Sequence, residues 1–171
     1  SRTDRIHMAL EIERKFLLRP GMTLPSSDHV ENIRQCYIVS DDTLVVRVRI
    51  IDEERAILGI KIAHEETLSV RTEYEYEIPI EEALEMMSVA STTPIVKQRH
   101  VIEVGERKWE VDFFEEENEG LIVAEVELPS LETSLPLPEW IGREVTDDKR
   151  YTNGSLARHP YVEWQDEVAE S

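Results

Sequence analysis

Glu11, Glu13 and Lys15 stand two apart in the stretch Leu10-Glu11-Ile12-Glu13-Arg14-Lys15-Phe16. In a β-strand that spacing points all three to one face. Leu10, Ile12 and Phe16 point to the other, with Arg14 the polar exception. Two carboxylates and an ammonium do not suit an apolar core, because unpaired buried charge is expensive. They suit a hard cation, which takes oxygen ligands, together with an anionic ligand.

The device recurs along the chain. Like-charged doublets at spacing two occur at 11/13, 47/49, 73/75, 97/99 and 125/127. Collected, the basic set is Lys15, Arg47, Arg49, Lys61, Lys97 and Arg99, extended by Arg71; the acidic set is Glu11, Glu13, Glu73, Glu75, Asp112, Glu125 and Glu127. So many cations in one lumen repel one another unless anions lie between them. A tri- or polyphosphate supplies that charge, and arginine forks bind its oxygens bidentately. Carboxylates alone would repel the phosphates, so their presence implies divalent cations. Together these are the parts of phosphoryl transfer. The bland alternative is surface decoration of half-exposed strands. Decoration mixes signs along a face, whereas these doublets do not. Glu77 and Glu110 are read as facing solvent, the acidic turns at 52–54 and 115–117 as solvated loops, and Tyr74 and Tyr76 as outer-face packing.

The elements that must carry these residues follow from alternation at period two. Strands are expected at about 8–18, 33–40, 43–51, 55–63, 69–80, 95–104, 107–114 and 121–128. A short helix or loop is expected at 26–32, and a helix at 81–90 (EEALEMMSVA). Gly105-Glu106 reads as a tight hairpin turn. Beyond Pro129 the prolines predict an irregular crossing, then a short helix within 147–158 weakened by Asn153-Gly154, then a frayed polar tail after Pro160. Eight strands joined by short turns predict a mainly β (α+β) fold, an eight-stranded antiparallel closed barrel with a few flanking helices. If the charged face turns inward, the barrel is a wet tunnel. Its apolar outer face then needs cover from the helices, the crossing or a second copy.

Composition narrows the class. The 171 residues fit one domain, read as 8–160, with 1–7 a short polar leader or expression remnant and 161–171 a polar tail. The net charge is −18, from 37 acidic and 19 basic residues. Such a field argues against nucleic-acid or membrane partners. Cys36 is the single cysteine, read as a small buried apolar group. With no secretory signal or spanning run visible, a cytoplasmic protein, monomer or homodimer, is the default.

The ordered set resembles a known family. Met8-Ala-Leu-Glu-Ile-Glu-Arg-Lys-Phe-Leu-Leu18 carries the E-x-E-x-K signature of the CYTH domain, or triphosphate tunnel metalloenzymes. R-V-R at 47–49, Lys61, R-x-E-x-E at 71–75, K-x-R at 97–99, Asp112 and E-V-E at 125–127 match its later landmarks, and 144–153 looks like the closing segment of small bacterial members. The resemblance implies an eight-stranded tunnel that binds triphosphates with Mg²⁺ or Mn²⁺. It implies metal ligation by Glu11, Glu13, Asp112, Glu125 and Glu127. It implies substrate binding by Lys15, Arg47, Arg49, Lys61, Lys97 and Arg99, with Arg71, Glu73 and Glu75 as further contacts. Glu11, Glu13, Lys15, Lys97 and Glu127 are the expected catalytic residues. A short chain without an insertion for a base or a thiamine ring points to an inorganic triphosphatase. Adenylate cyclisation, thiamine or nucleoside triphosphate hydrolysis, and non-catalytic polyphosphate binding are the alternatives.

Overall fold

The computed structural model describes residues 5–64 and 70–168, with side chains of the first strand described from Ile12 onward. The side chain of Glu11, and the chain at 1–4, 65–69 and 169–171, lie outside the described residues. The strands are β1 (Arg5–Leu18), β2 (His29–Ser40), β3 (Leu44–Ile51), β4 (Arg55–Ala63), β5 (Val70–Ile78), β6 (Ile95–Val104), β7 (Arg107–Phe114), β8 (Ile122–Leu128) and β9 (Ile141–Glu144). The helices are α1 (Ile80–Ser88), α2 (Asn153–Arg158) and α3 (Gln165–Val168), with 3-10 turns at Glu116–Asn118, Lys149–Tyr151 and Tyr161–Glu163.

The first eight strands close into an antiparallel barrel in the order β5-β4-β3-β2-β6-β7-β8-β1, sealed by pairing of β1 with β5. Long β1 makes closure possible by changing partners along its length. Residues from Arg5 to Ile12 pair with β5, whereas Ile12 to Phe16 pair with β8. The expected barrel is therefore present, and its parity holds. From Ile12 onward, Ile12 and Phe16 of β1 face outward into an apolar layer, and Glu13 and Lys15 face the lumen.

Three bodies cover the outer face or plug the end. The crossing after β8 brings Trp140 and Ile141 onto Phe16, Trp109 and Val126. Trp109 sits edge-on to Phe16 at 5.6 Å and to Trp140 at 5.7 Å. It is 1% exposed, so truncating it to alanine should cost about 3–5 kcal/mol. Helix α1 covers Val48, Ile50, Ala56 and Ile78 with Ala83. At one end of the barrel the inward residues turn apolar, and Tyr37, Ile95, Phe114 and Val123 pack under Tyr151, Leu156 and Trp164.

Four expectations change. Residues 29–32 are strand, not helix or loop, because β6 is long enough to pair with them from His29↔Val101 onward. Strand β9 was not expected. It takes the edge of β1 that β5 vacates, pairing Leu18 with Ile141, and Gly142 permits the approach, since a Cβ there would lie 2.9 Å from the backbone of Leu18. The helix expected within 147–158 is split into a 3-10 turn and α2. Asn153-Gly154 opens α2 under a Thr152 cap whose hydroxyl accepts from Ser155 N–H at 3.2 Å. Finally, the residues just after Pro160 are packed rather than frayed, because Trp164 stacks edge-on against Tyr151 at 5.2 Å.

Candidate active site

Inward parity gathers the charged residues into one cavity of about 740 Å³. Its lining includes Glu13, Lys15, Arg47, Arg49, Lys61, Arg71, Glu73, Glu75, Lys97, Arg99, Glu125 and Glu127. Of the residues singled out by sequence, Asp112 is not part of that lining, and the side chain of Glu11 lies outside the described residues. The register places Glu11 opposite Arg71.

The lumen cations other than Arg49 have positioned carboxylates. Lys15 Nζ lies 3.2 Å from Glu125 Oε1 and 4.0 Å from Glu13 Oε1. Lys61 meets Glu73 at 3.1 Å, and Arg71 approaches Glu13 at 3.9 Å. Arg47 Nη2 lies 3.4 Å from Glu75, while its buried Nε has no hydrogen-bond partner among the described residues. Gly59, opposite Arg47 in the register, makes room for the guanidinium: a Cβ there would lie 3.0 Å from Nη2.

Asp112, which the resemblance reads as a metal ligand, faces two cations behind the cavity lining. It is fully buried, and its oxygens accept from Lys97 Nζ at 2.7 Å and from Arg99 Nε and Nη2 at 2.8 and 2.9 Å. It therefore anchors both cations, and three of its acceptor sites are taken by them. A further layer was not legible in advance. Gln35 accepts from Arg49 Nε at 2.8 Å, and Asn153 accepts from Lys97 Nζ at 2.8 Å. Inward parity on β2 could have found Gln35, since it shares a face with Ile33 and Tyr37. Nothing local marked Asn153.

The electrostatics favour a bound anion. Burial, then repulsion from Arg47 and Arg99, brings Arg49 down to about 10. Burial, then the nearby Arg99 and Arg49, outweighs the attraction of Asp112 and brings Lys97 down to about 7. The carboxylates go the other way. Burial alone would raise Glu125, yet Lys15, Arg99 and Lys97 hold it well below its ordinary value. Burial and Glu125 raise Glu13, but Lys61, Lys15 and Arg71 prevail and keep it lowered.

Glu13 and Glu127 are direct cross-strand partners on β1 and β8. Like charges so placed are destabilising unless a cation lies between or beside them. An all-oxygen donor pair of this kind fits a hard divalent cation. Among the described residues no cluster of three or more His, Cys, Asp or Glu side chains is already gathered as a metal site.

An antiparallel barrel with basic doublets and carboxylate pairs facing a common lumen is a tunnel for a polyanion. The chain belongs to the CYTH domain family, whose model matches residues 9–161. It is 40% identical over 160 residues to an inorganic triphosphatase of Acetivibrio thermocellus, covering 93% of this chain and 100% of that protein. An inorganic triphosphatase of Nitrosomonas europaea is 31% identical over 152 residues, covering 86% and 96%. A solved structure of an inorganic triphosphatase, 30% identical, superposes with a TM-score of 0.61 over 88% of this chain and 96% of its own. Among the described residues no helix is long and apolar enough to cross a membrane.

Proposed function

We propose that the protein hydrolyses inorganic triphosphate to diphosphate and phosphate inside the barrel, with Mg²⁺ or Mn²⁺. The observation that carries this reading is Arg47. Its Nε is buried without a partner in a cavity where Arg49, Lys97 and Arg99 already repel one another. A polyanion satisfies the orphaned donor and relieves the repulsion in one step. The named relatives support the same activity. Among the described residues that line the cavity Tyr37 is the single aromatic, so they offer little stacking surface for a base or a thiamine ring.

In this reading Arg47, Arg49, Lys97 and Arg99 hold the phosphate chain, with Lys61 beside them on β4, the neighbour of β3, and Lys15 on β1. Glu11, Glu13, Glu125 and Glu127 hold the divalent cation, with Glu73 and Glu75 orienting Lys61 and Arg47. When bound, that cation supplies Lewis acidity toward the phosphoryl oxygens and neutralises carboxylate against phosphate. Fixed positive charge around the departing diphosphate stabilises the charge that builds on it. Asp112 does not touch the substrate in this scheme. It holds Lys97 and Arg99 in register.

The test is phosphate release from triphosphate, ATP and thiamine triphosphate, with Mg²⁺ or Mn²⁺ and with chelator. Preferred turnover of triphosphate, abolished by chelator, is expected. Cyclic AMP as the main product from ATP, or binding without turnover, overturns the reading.

A further inference from the structure

Gln35 and Asn153 carry amides whose orientations are forced by their neighbours. Arg49 Nε can only donate, so the group facing it at 2.8 Å must be the Gln35 oxygen. Gln35 Nε2 then donates to Tyr37 Oη at 2.8 Å and to Asn153 Oδ1 at 3.3 Å. Lys97 Nζ, a donor as the ammonium, reaches the same Asn153 oxygen at 2.8 Å. Flipping either amide would set donor against donor. Asn153 Nδ2 is thereby left over: it makes no hydrogen bond to a described residue, and Asn153 lines the cavity.

We propose that Asn153 contacts the substrate, its Nδ2 donating to an oxygen of the phosphoryl group that Lys97 also holds, while its Oδ1 fixes Lys97. The inference rests on the triphosphatase reading above. A neutral amide suits this place because it adds a donor without adding a cation to a crowded set. Its position is built by docking of α2 rather than by the barrel. Arg158 Nη1 donates to Ser40 O at 2.7 Å, and Leu156 and Ala157 are buried. Gly154 lets the chain pass close to β2, where a Cβ would lie 2.2 Å from Ser40 Oγ. The segment outside the barrel thus supplies one wall of the phosphate site.

The experiment measures triphosphate Kd by calorimetry, and KM and kcat by phosphate release, for the wild type, Asn153→Ala, Asn153→Asp, Lys97→Ala and the Asn153→Ala/Lys97→Ala double variant. Melting temperature monitors the fold. Asn153→Ala should raise Kd and KM at least about tenfold, or 1.4 kcal/mol. Asn153→Asp keeps the acceptor for Lys97 but turns an anionic oxygen toward the phosphate, so it should bind at least as weakly; being isosteric, it also serves if the alanine variant does not fold. In the Lys97→Ala background the alanine change should still weaken binding about threefold or more. Unchanged Kd in Asn153→Asp overturns the proposal. So does an alanine change with no effect once Lys97 is gone, since Asn153 would then merely hold the lysine. A wild type that binds triphosphate without turnover overturns the triphosphatase reading alone. A wild type that does not bind it overturns both.

Discussion

Lys97 Nζ lies 2.7 Å from Asp112 Oδ2, with each side chain 1% exposed. The pair belongs to the basic cluster of the barrel, and Arg99 shares the same carboxylate. Removing Asp112 therefore strands two buried cations. Asp112→Asn should cost about 3 kcal/mol or more, seen as a fall in Tm of roughly 6 °C or more. A metal-ligand role predicts something else, namely restored activity at high Mg²⁺ or Mn²⁺ with an unchanged Tm. That result would remove the anchoring role. Burial raises the Asp112 carboxyl, but Arg99 and Lys97 outweigh it and hold it below its ordinary 3.8. A carboxyl lowered in the folded state contributes stability above that value and loses it as pH falls through and below it. Wild-type acid unfolding should shift to higher pH in Asp112→Asn.

The lowered Lys97 gives a second pH signature. Its ammonium is discharged in the free protein as pH rises through about 7. Triphosphate KM should therefore rise above that pH, and Lys97→Arg should flatten that limb of the profile. A wild-type KM that stays level from pH 6 to 9 would contradict this. The stability sign is the reverse of the usual ion-pair case. Between about 7 and the ordinary 10.5 the unfolded chain holds the extra proton, so this group makes folding more favourable as pH rises across that window.

Arg47 and Gly59 test the anion-binding wall by a route that spares the fold. Arg47→Ala should lower kcat/KM at least about tenfold, equal to 1.4 kcal/mol. Arg47→Lys should rescue little, because an ammonium cannot replace a fork of donors. Gly59→Ala places a methyl 3.0 Å from Arg47 Nη2, against the movable end of a side chain. It should weaken triphosphate binding several-fold with little change in Tm. Full activity in both Arg47→Ala and Gly59→Ala would remove Arg47 from the site.

The carboxylate pair across β1 and β8 is tested by metal titration. Glu13→Gln removes one partner of the Glu13↔Glu127 register pair. Turnover should fall at least about tenfold, and the Mg²⁺ or Mn²⁺ concentration for half-maximal activity should rise. Glu11→Gln should behave alike. Unaltered metal dependence in both variants would assign the cation elsewhere.

The barrel was legible because its signal is local and repeated. Alternation at period two, interrupted by turns such as Gly105 with its positive φ of 60°, marks each strand without knowledge of its partner. The same parity turned the like-charged doublets at 47/49, 73/75, 97/99 and 125/127 inward. What escaped depends on distant chain. Strand β9 is four residues long and exists because β1 outlasts β5. The role of Asp112 depended on two cations of the neighbouring strand β6, Lys97 and Arg99. Asn153 reaches the lumen because α2 folds back across the barrel end. Trp164 belongs to that packing too, though its surroundings in sequence are polar.

The lumen cations and carboxylates nearly balance, so the net charge of −18 is worn almost wholly on the outside. An approaching polyanion therefore meets a hostile skin before a welcoming interior. Moderate salt screens exposed charge over about 8–10 Å yet reaches buried groups poorly. Capture should quicken as salt is added from a low level, then slow once ions compete inside the bore. Large polyanions feel the skin over a wider area than a small one does, so the coat sorts by size before any pocket is reached.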